Sequence, residues 1–145
     1  MSNARLLPIG LVLVFLMTAV LLLSGSSWAN TNTYTHNDSA ILMDGSGTYH
    51  RKISTPSKLA QQFFDQGLRY AWGFYFPEST ASYLEAAKHD STHPMIYWGL
   101  AHALGPNPNS RYIGMPDDPK SEGLKAITRA LKLIGNATPK EQDMI

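Results

Sequence analysis

The chain contains no cysteine. That excludes a disulfide framework, a cysteine-based zinc site and a thiol nucleophile, and it makes folding indifferent to the redox state of the compartment. Charge is sparse too. Asp, Glu, Lys and Arg make up 16% of the 145 residues, and the 12 basic and 11 acidic side chains nearly cancel. The basic excess that nucleic-acid binding needs is missing, so no nucleic-acid partner is expected. Long apolar runs are confined to one place, residues 6–23, where 15 of 18 residues are apolar. What remains has the composition of ordinary globular material with a modest core.

The apolar run has the layout of a secretory signal over residues 1–29. Arg5 and the terminal amine form the positive end, and Ser27 and Ala29 put small residues at the −3 and −1 positions of a cleavage site before Asn30. The rival is an uncleaved anchor, since 18 residues is near the lower limit for spanning a bilayer as a helix. Neither Lys nor Arg occurs between Arg5 and Arg51, so both alternatives keep the positive flank inside. Either way the chain is expected to be exported, periplasmic or extracellular, and to meet a membrane only through residues 6–23. Residues 30–54 are polar and turn-rich, with Asp44-Gly45-Ser46-Gly47 near their middle and Ala40 to Met43 as an apolar cluster. They are expected to form a flexible spacer.

From Thr55 onward the pattern turns helical, and residues 55–145 are expected to fold as an all-α domain. Thr55-Pro56 predicts a first helix, with a hydroxyl cap followed by Pro at the first helical position. Pro77 predicts a second helix and Pro94 a third, which Gly105 ends in a left-handed cap. After a loop over residues 107–116, Asp117 or Asp118 caps a fourth helix. Its apolar stripe is Leu124, Ile127, Ala130, Leu131 and Ile134, and Gly135 closes it. Thr138-Pro139-Lys140-Glu141 is a capping box that announces a fifth helix just before Ile145.

Short helix pairs with small and aromatic residues at fixed offsets suggest a repeat of about 34 residues. With Gly67 at the eighth position of a tetratricopeptide unit, Phe63 takes the fourth, Tyr70 the eleventh, Tyr83 the twenty-fourth and Ala86 the twenty-seventh. One period later Tyr97 and Ala101 take the fourth and eighth. Gly67 and Ala101 would let helix backbones approach closely. Gln66, Ser79 and Ser91 depart from the usual Leu, Ala and Pro. The segments Phe63-Phe64-Asp65-Gln66-Gly67-Leu68-Arg69, Tyr97-Trp98-Gly99-Leu100-Ala101 and Gly105-Pro106-Asn107 resemble a bacterial family of exported or hypothetical tetratricopeptide proteins several times longer than this chain. The resemblance implies antiparallel helix pairs of a solenoid, of which these residues would be the N-terminal part. It implies no activity for any residue.

Candidate sites follow from the same register. First helices of stacked pairs line a concave surface, which places Gln61, Phe64, Leu68 and Trp72, then Met95, Trp98 and His102, where a protein or peptide partner would lie. The competing assignment packs Phe64, Leu68 and Trp98 between helices. His89 and His93, with Asp90 or His102, are a weak metal pattern, because Pro94 separates the two histidines onto different elements. No nucleophile sits in a G-x-S-x-G setting, and Asp117-Asp118 suits a helix cap better than acid–base chemistry. No cofactor and no catalysis are expected of this chain. The alternative is the first part of a larger enzyme or metal-binding protein with its active site further on.

Overall fold

The computed structural model describes residues 39–105 and 115–145. The predicted leader, the first residues of the predicted spacer and most of the 107–116 loop lie outside the described residues. Among the described residues there are five α-helices and no strand: α1 (Lys58–Trp72), α2 (Phe76–His89), α3 (Pro94–Leu104), α4 (Pro119–Lys132) and α5 (Pro139–Gln142), with a 3-10 turn at Ile134–Asn136 between the last two. None of them is long and apolar enough to cross a membrane. α1 packs along α2 and α3 along α4, and α2 also packs on α3, which joins the two antiparallel pairs.

Every helix but α2 starts where a side chain accepts one of its free amides; α2 begins after Tyr75 without a side-chain cap and has Pro77 in its first turn. Ser57 accepts from the Ala60 N–H at 3.2 Å, so α1 begins two residues later than Thr55-Pro56 predicts. Thr55 instead donates to Asp90 at 2.6 Å, tying the entrance of α1 to the end of α2. Asp118 accepts from Ser121 at 3.0 Å and caps α4. Glu141 of the capping box accepts from both the N–H and the hydroxyl of Thr138, each at 2.7 Å. Gly105 is extended (φ −62°, ψ 169°) rather than left-handed. α4 stops at Lys132, and the turn at Ile134–Asn136 replaces the expected glycine stop. α4 is also rotated from its expected face. Its buried residues are Gly123, Ala126 and Ala130, and Leu124 and Leu131 are exposed. The small residues face inward because α4 lies close on α3: a Cβ at Gly123 would already touch Leu104 at 3.4 Å.

The core is organised around Tyr83 of α2, whose side chain is fully buried. Its ring lies against Gly67 of α1 on one side and Gly99 of α3 on the other, and either glycine would clash with it if given a Cβ. Phe64 meets the same ring edge-on at 5.7 Å between centroids. Ile53, Phe63, Leu68, Met95, Ile96, Leu100 and Leu104 belong to the same cluster, and Met144 and Ile145 pack against it. Gly67 makes room for the Tyr83 ring. In the second unit the ring's neighbour is Gly99, while Ala101 is half-buried.

Candidate binding surface

Residues 40–54 are a strap on α1, and the expectation of a flexible spacer is corrected for them. The chain turns at 44–47, where Gly45 (φ 81°) and Gly47 (φ 103°) take left-handed conformations. It then runs back along α1 in the opposite direction. Arg69 donates to the Tyr49 carbonyl at 3.0 Å and from Nε to Ser46 at 3.1 Å. Asp65 accepts from the Arg51 N–H at 3.0 Å and pairs with His50 Nδ1 at 2.6 Å. Gln61 accepts from the Ile53 N–H at 2.9 Å and donates to the Arg51 carbonyl at 2.8 Å. Before the turn, Gln66 repeats that pattern: it accepts from the Met43 N–H at 2.8 Å and donates to the Ile41 carbonyl at 2.9 Å and to Ser82 at 3.1 Å. Composition hid the strap, because its own residues are polar and its anchoring groups belong to the helix.

The predicted concave-face residues divide accordingly. Phe64, Leu68 and Met95 are buried in the core and unavailable to a ligand, so their assignment to a binding surface is corrected in favour of packing. Gln61 is engaged by the strap. Trp72 is 71% exposed and tilted against Tyr49 of the strap, with 6.0 Å between ring centroids. Trp98 is half-buried and stacks on the exposed His102 at 5.9 Å. Beyond Trp72, Phe74 and Tyr75 are also exposed, and Phe74 holds a positive φ of 64° in the turn between α1 and α2. That conformation is uncommon for a bulky residue, and no sequence signal marks it.

A second polar cluster joins the strap, α3 and α5. Ser54 donates its hydroxyl to Glu141 and its N–H to the same carboxylate, both at 2.7 Å, and its oxygen lies 2.9 Å from His93 Nε2. His93 is buried and caps α3, its Nδ1 accepting from the Met95 N–H at 3.3 Å. Nε2 therefore carries the ring proton and donates to Ser54, which passes its own proton toward Glu141. Serine, histidine and carboxylate stand in series here, but the serine is in the middle. In a nucleophilic triad the histidine must be free to take the serine proton. The cluster is a junction between elements, and sequence reading missed it because Ser54, His93 and Glu141 are far apart in the chain.

Burial pushes His93 below the ordinary histidine value, and the Glu141 and Asp90 charges only partly restore it. Burial raises Glu141, but the hydrogen bonds from the Ser54 and Thr138 side chains and from their backbone N–H groups prevail and hold it at about 2. Tyr83 is raised well above the normal phenol value by burial and by the Asp65 charge. Its hydroxyl has no hydrogen-bond partner among the described residues.

His89 stacks on Phe63 at 5.7 Å and lies 3.6 Å from Glu85, so it serves α1 and α2 packing. Among the described residues no three His, Asp or Glu gather where they could hold a metal ion. Compared with known proteins, the chain matches no family model, no curated protein and no solved structure.

Proposed function

We propose that the chain is a tetratricopeptide-type scaffold that binds a protein or peptide and performs no catalysis of its own. The observation that carries this reading is the Gly67–Tyr83–Gly99 stack. It joins two antiparallel helix pairs on one core, and the first helices of those pairs carry the exposed Trp72 and the half-buried Trp98 stacked on the exposed His102. Exposed aromatics flanked by polar groups are the anchors that polypeptide recognition uses. The Leu124 and Leu131 stripe on α4 supports the same reading, since a solenoid presents such a face to its next unit. The Tyr97 side chain donates to the Ser91 carbonyl at 2.9 Å and lies under Arg129 at 5.8 Å, which fixes the start of α3 against α4.

An exported location, by way of residues 1–29, belongs to this proposal. The scaffold would work in the cell envelope or outside the cell, as part of a protein like the bacterial family that its motifs resemble. The test is an array of synthetic peptides probed with the purified chain. The proposal expects a restricted class of peptides to bind and the double substitution Trp98→Ala, His102→Ala to weaken them by tenfold or more. Equal binding by the substituted chain would remove this surface from the proposal.

A further inference from the structure

We infer that the strap-bearing side of α1 is a receptor for an extended polypeptide segment with an aliphatic anchor, and that residues 40–54 occupy it in cis. The inference rests on the scaffold reading and deepens it: the partner is a segment that resembles the strap and binds by displacing it.

The geometry is that of a backbone reader. Gln61 and Gln66 each take the carbonyl of one strap residue and the N–H of the residue two further on, Arg51 with Ile53 and Ile41 with Met43. One residue of a parallel strand offers its neighbour the same pair of bonds. A single primary amide on a helix can supply both because it carries a donor and an acceptor side by side. The stripe Arg69, Asp65 and Gln61 then meets Tyr49, Arg51 and Ile53 in turn. Four helical residues rise about 6 Å and two extended residues about 6.6 Å, so a helix row at every fourth position keeps step with alternate residues of an extended chain. Most of the bonds between α1 and the strap involve the strap's main-chain atoms; His50 on Asp65 and Ser46 on Arg69 are the side-chain exceptions.

The apolar part of the specificity lies in one side chain, beside the polar side chains of His50 on Asp65 and Ser46 on Arg69. Ile53 is 2% exposed and belongs to the core cluster, whereas the rest of the strap is exposed or half-buried. An incoming segment therefore needs an aliphatic residue at that position and an extended backbone before it. The strap has no helix or strand of its own, and among its residues Ile53 alone is fully buried, which places it at the low end of local stability in this molecule. Its tethering gives it a high effective concentration, so a partner competes against a resident occupant.

The experiment uses the full chain carrying Ile53→Asp, which ejects the resident anchor, and a fluorescein-labelled peptide with the sequence of residues 48–55. Polarisation titration should show the Ile53→Asp chain binding the peptide at least tenfold more tightly than the unmodified chain. Adding Gln61→Ala should abolish the gain. A helical, cooperatively folding Ile53→Asp chain that binds the peptide no better than the unmodified chain would overturn the inference. A second measurement stands should that variant fail to fold: hydrogen exchange of the unmodified chain. The Arg51 and Ile53 amides should exchange through a local opening, at least tenfold faster than those of Phe64 and Leu68. Exchange of all four only by global unfolding would overturn the inference, because the surface could not be vacated. Failure of the strap peptide alongside array binding that depends on Trp98 and His102 defeats this inference and leaves the scaffold standing. Strap-peptide binding without any effect of Trp98 and His102 supports the receptor and defeats the α3 surface alone.

Discussion

At the scale of single residues, the molecule depends on what Gly99 and Gly67 do not carry. Alanine is favoured over glycine in a helix by about 1 kcal/mol, yet the Tyr83 ring leaves no room for a methyl group at Gly99 and cannot retreat because Gly67 closes its other side. Gly99→Ala is therefore expected to destabilise the chain by about 1–3 kcal/mol, the usual cost of overpacking a core. Urea unfolding followed by circular dichroism will measure it. Tyr83→Phe is the informative control. The Tyr83 hydroxyl is buried without a partner among the described residues, so its removal should leave stability unchanged or raise it, whereas a loss would mean that the hydroxyl is satisfied. Gly67 is legible in the sequence from the repeat register. Gly99 is not, since the register gives the close approach to Ala101 two residues on.

At the scale of elements, a polar junction ties the strap to α3 and α5 beside the buried Ile53. The junction of Ser54, His93 and Glu141 makes stability depend on pH. Glu141 is held at about 2 in the folded chain against an ordinary 4.5, so its contribution is present above about pH 4.5 and is lost as the pH falls toward 2. His93 is depressed as well: the unfolded chain binds its proton first, and stability falls from about pH 6.5 downward. Protonation would also remove the acceptor that caps α3. Midpoints of urea unfolding should therefore decline in two steps on acidification, and His93→Gln should erase the step that begins below about pH 6.5. A single step in the unmodified chain would show that His93 is solvated. The junction also marks the limit of what sequence reveals. Helices with a proline-led start and a capping side chain, α3, α4 and α5, were visible in the residues that make them. The strap was not, because a polar extended segment reads as a linker until the helix that grips it is known. The signal was present in another form: Gln66 departs from the repeat pattern, and it is the residue that anchors Ile41 and Met43. Ser79 departs too, and its hydroxyl donates to the Gly67 carbonyl at 2.8 Å. The face of α4 was misjudged for a related reason. Of the stripe Leu124, Ile127, Ala130, Leu131 and Ile134, only Ala130 is fully buried, because the close approach of α3 selects the small residues Gly123, Ala126 and Ala130.

At the scale of the whole molecule, two helix pairs share one core, with Trp72 exposed on α1 and the half-buried Trp98 stacked on the exposed His102 on α3, while the strap covers part of α1. An all-α fold followed from periodicity alone. The division of Phe64, Leu68, Trp72, Trp98 and His102 into core and surface did not, because aromatic and aliphatic residues at helical spacing look alike in either role. The central claim is that first-helix surfaces of this scaffold hold an extended polypeptide. Its most direct test is amide chemical-shift mapping of the isotopically labelled full chain, titrated with the peptide that binds best on the array. The account predicts saturable shifts at Gln61, Asp65, Trp98 and His102, together with release of the Arg51 and Ile53 amides from their bound positions. Shifts confined to Leu124, Leu131 and their neighbours on α4, with α1 and α3 unmoved, would contradict it.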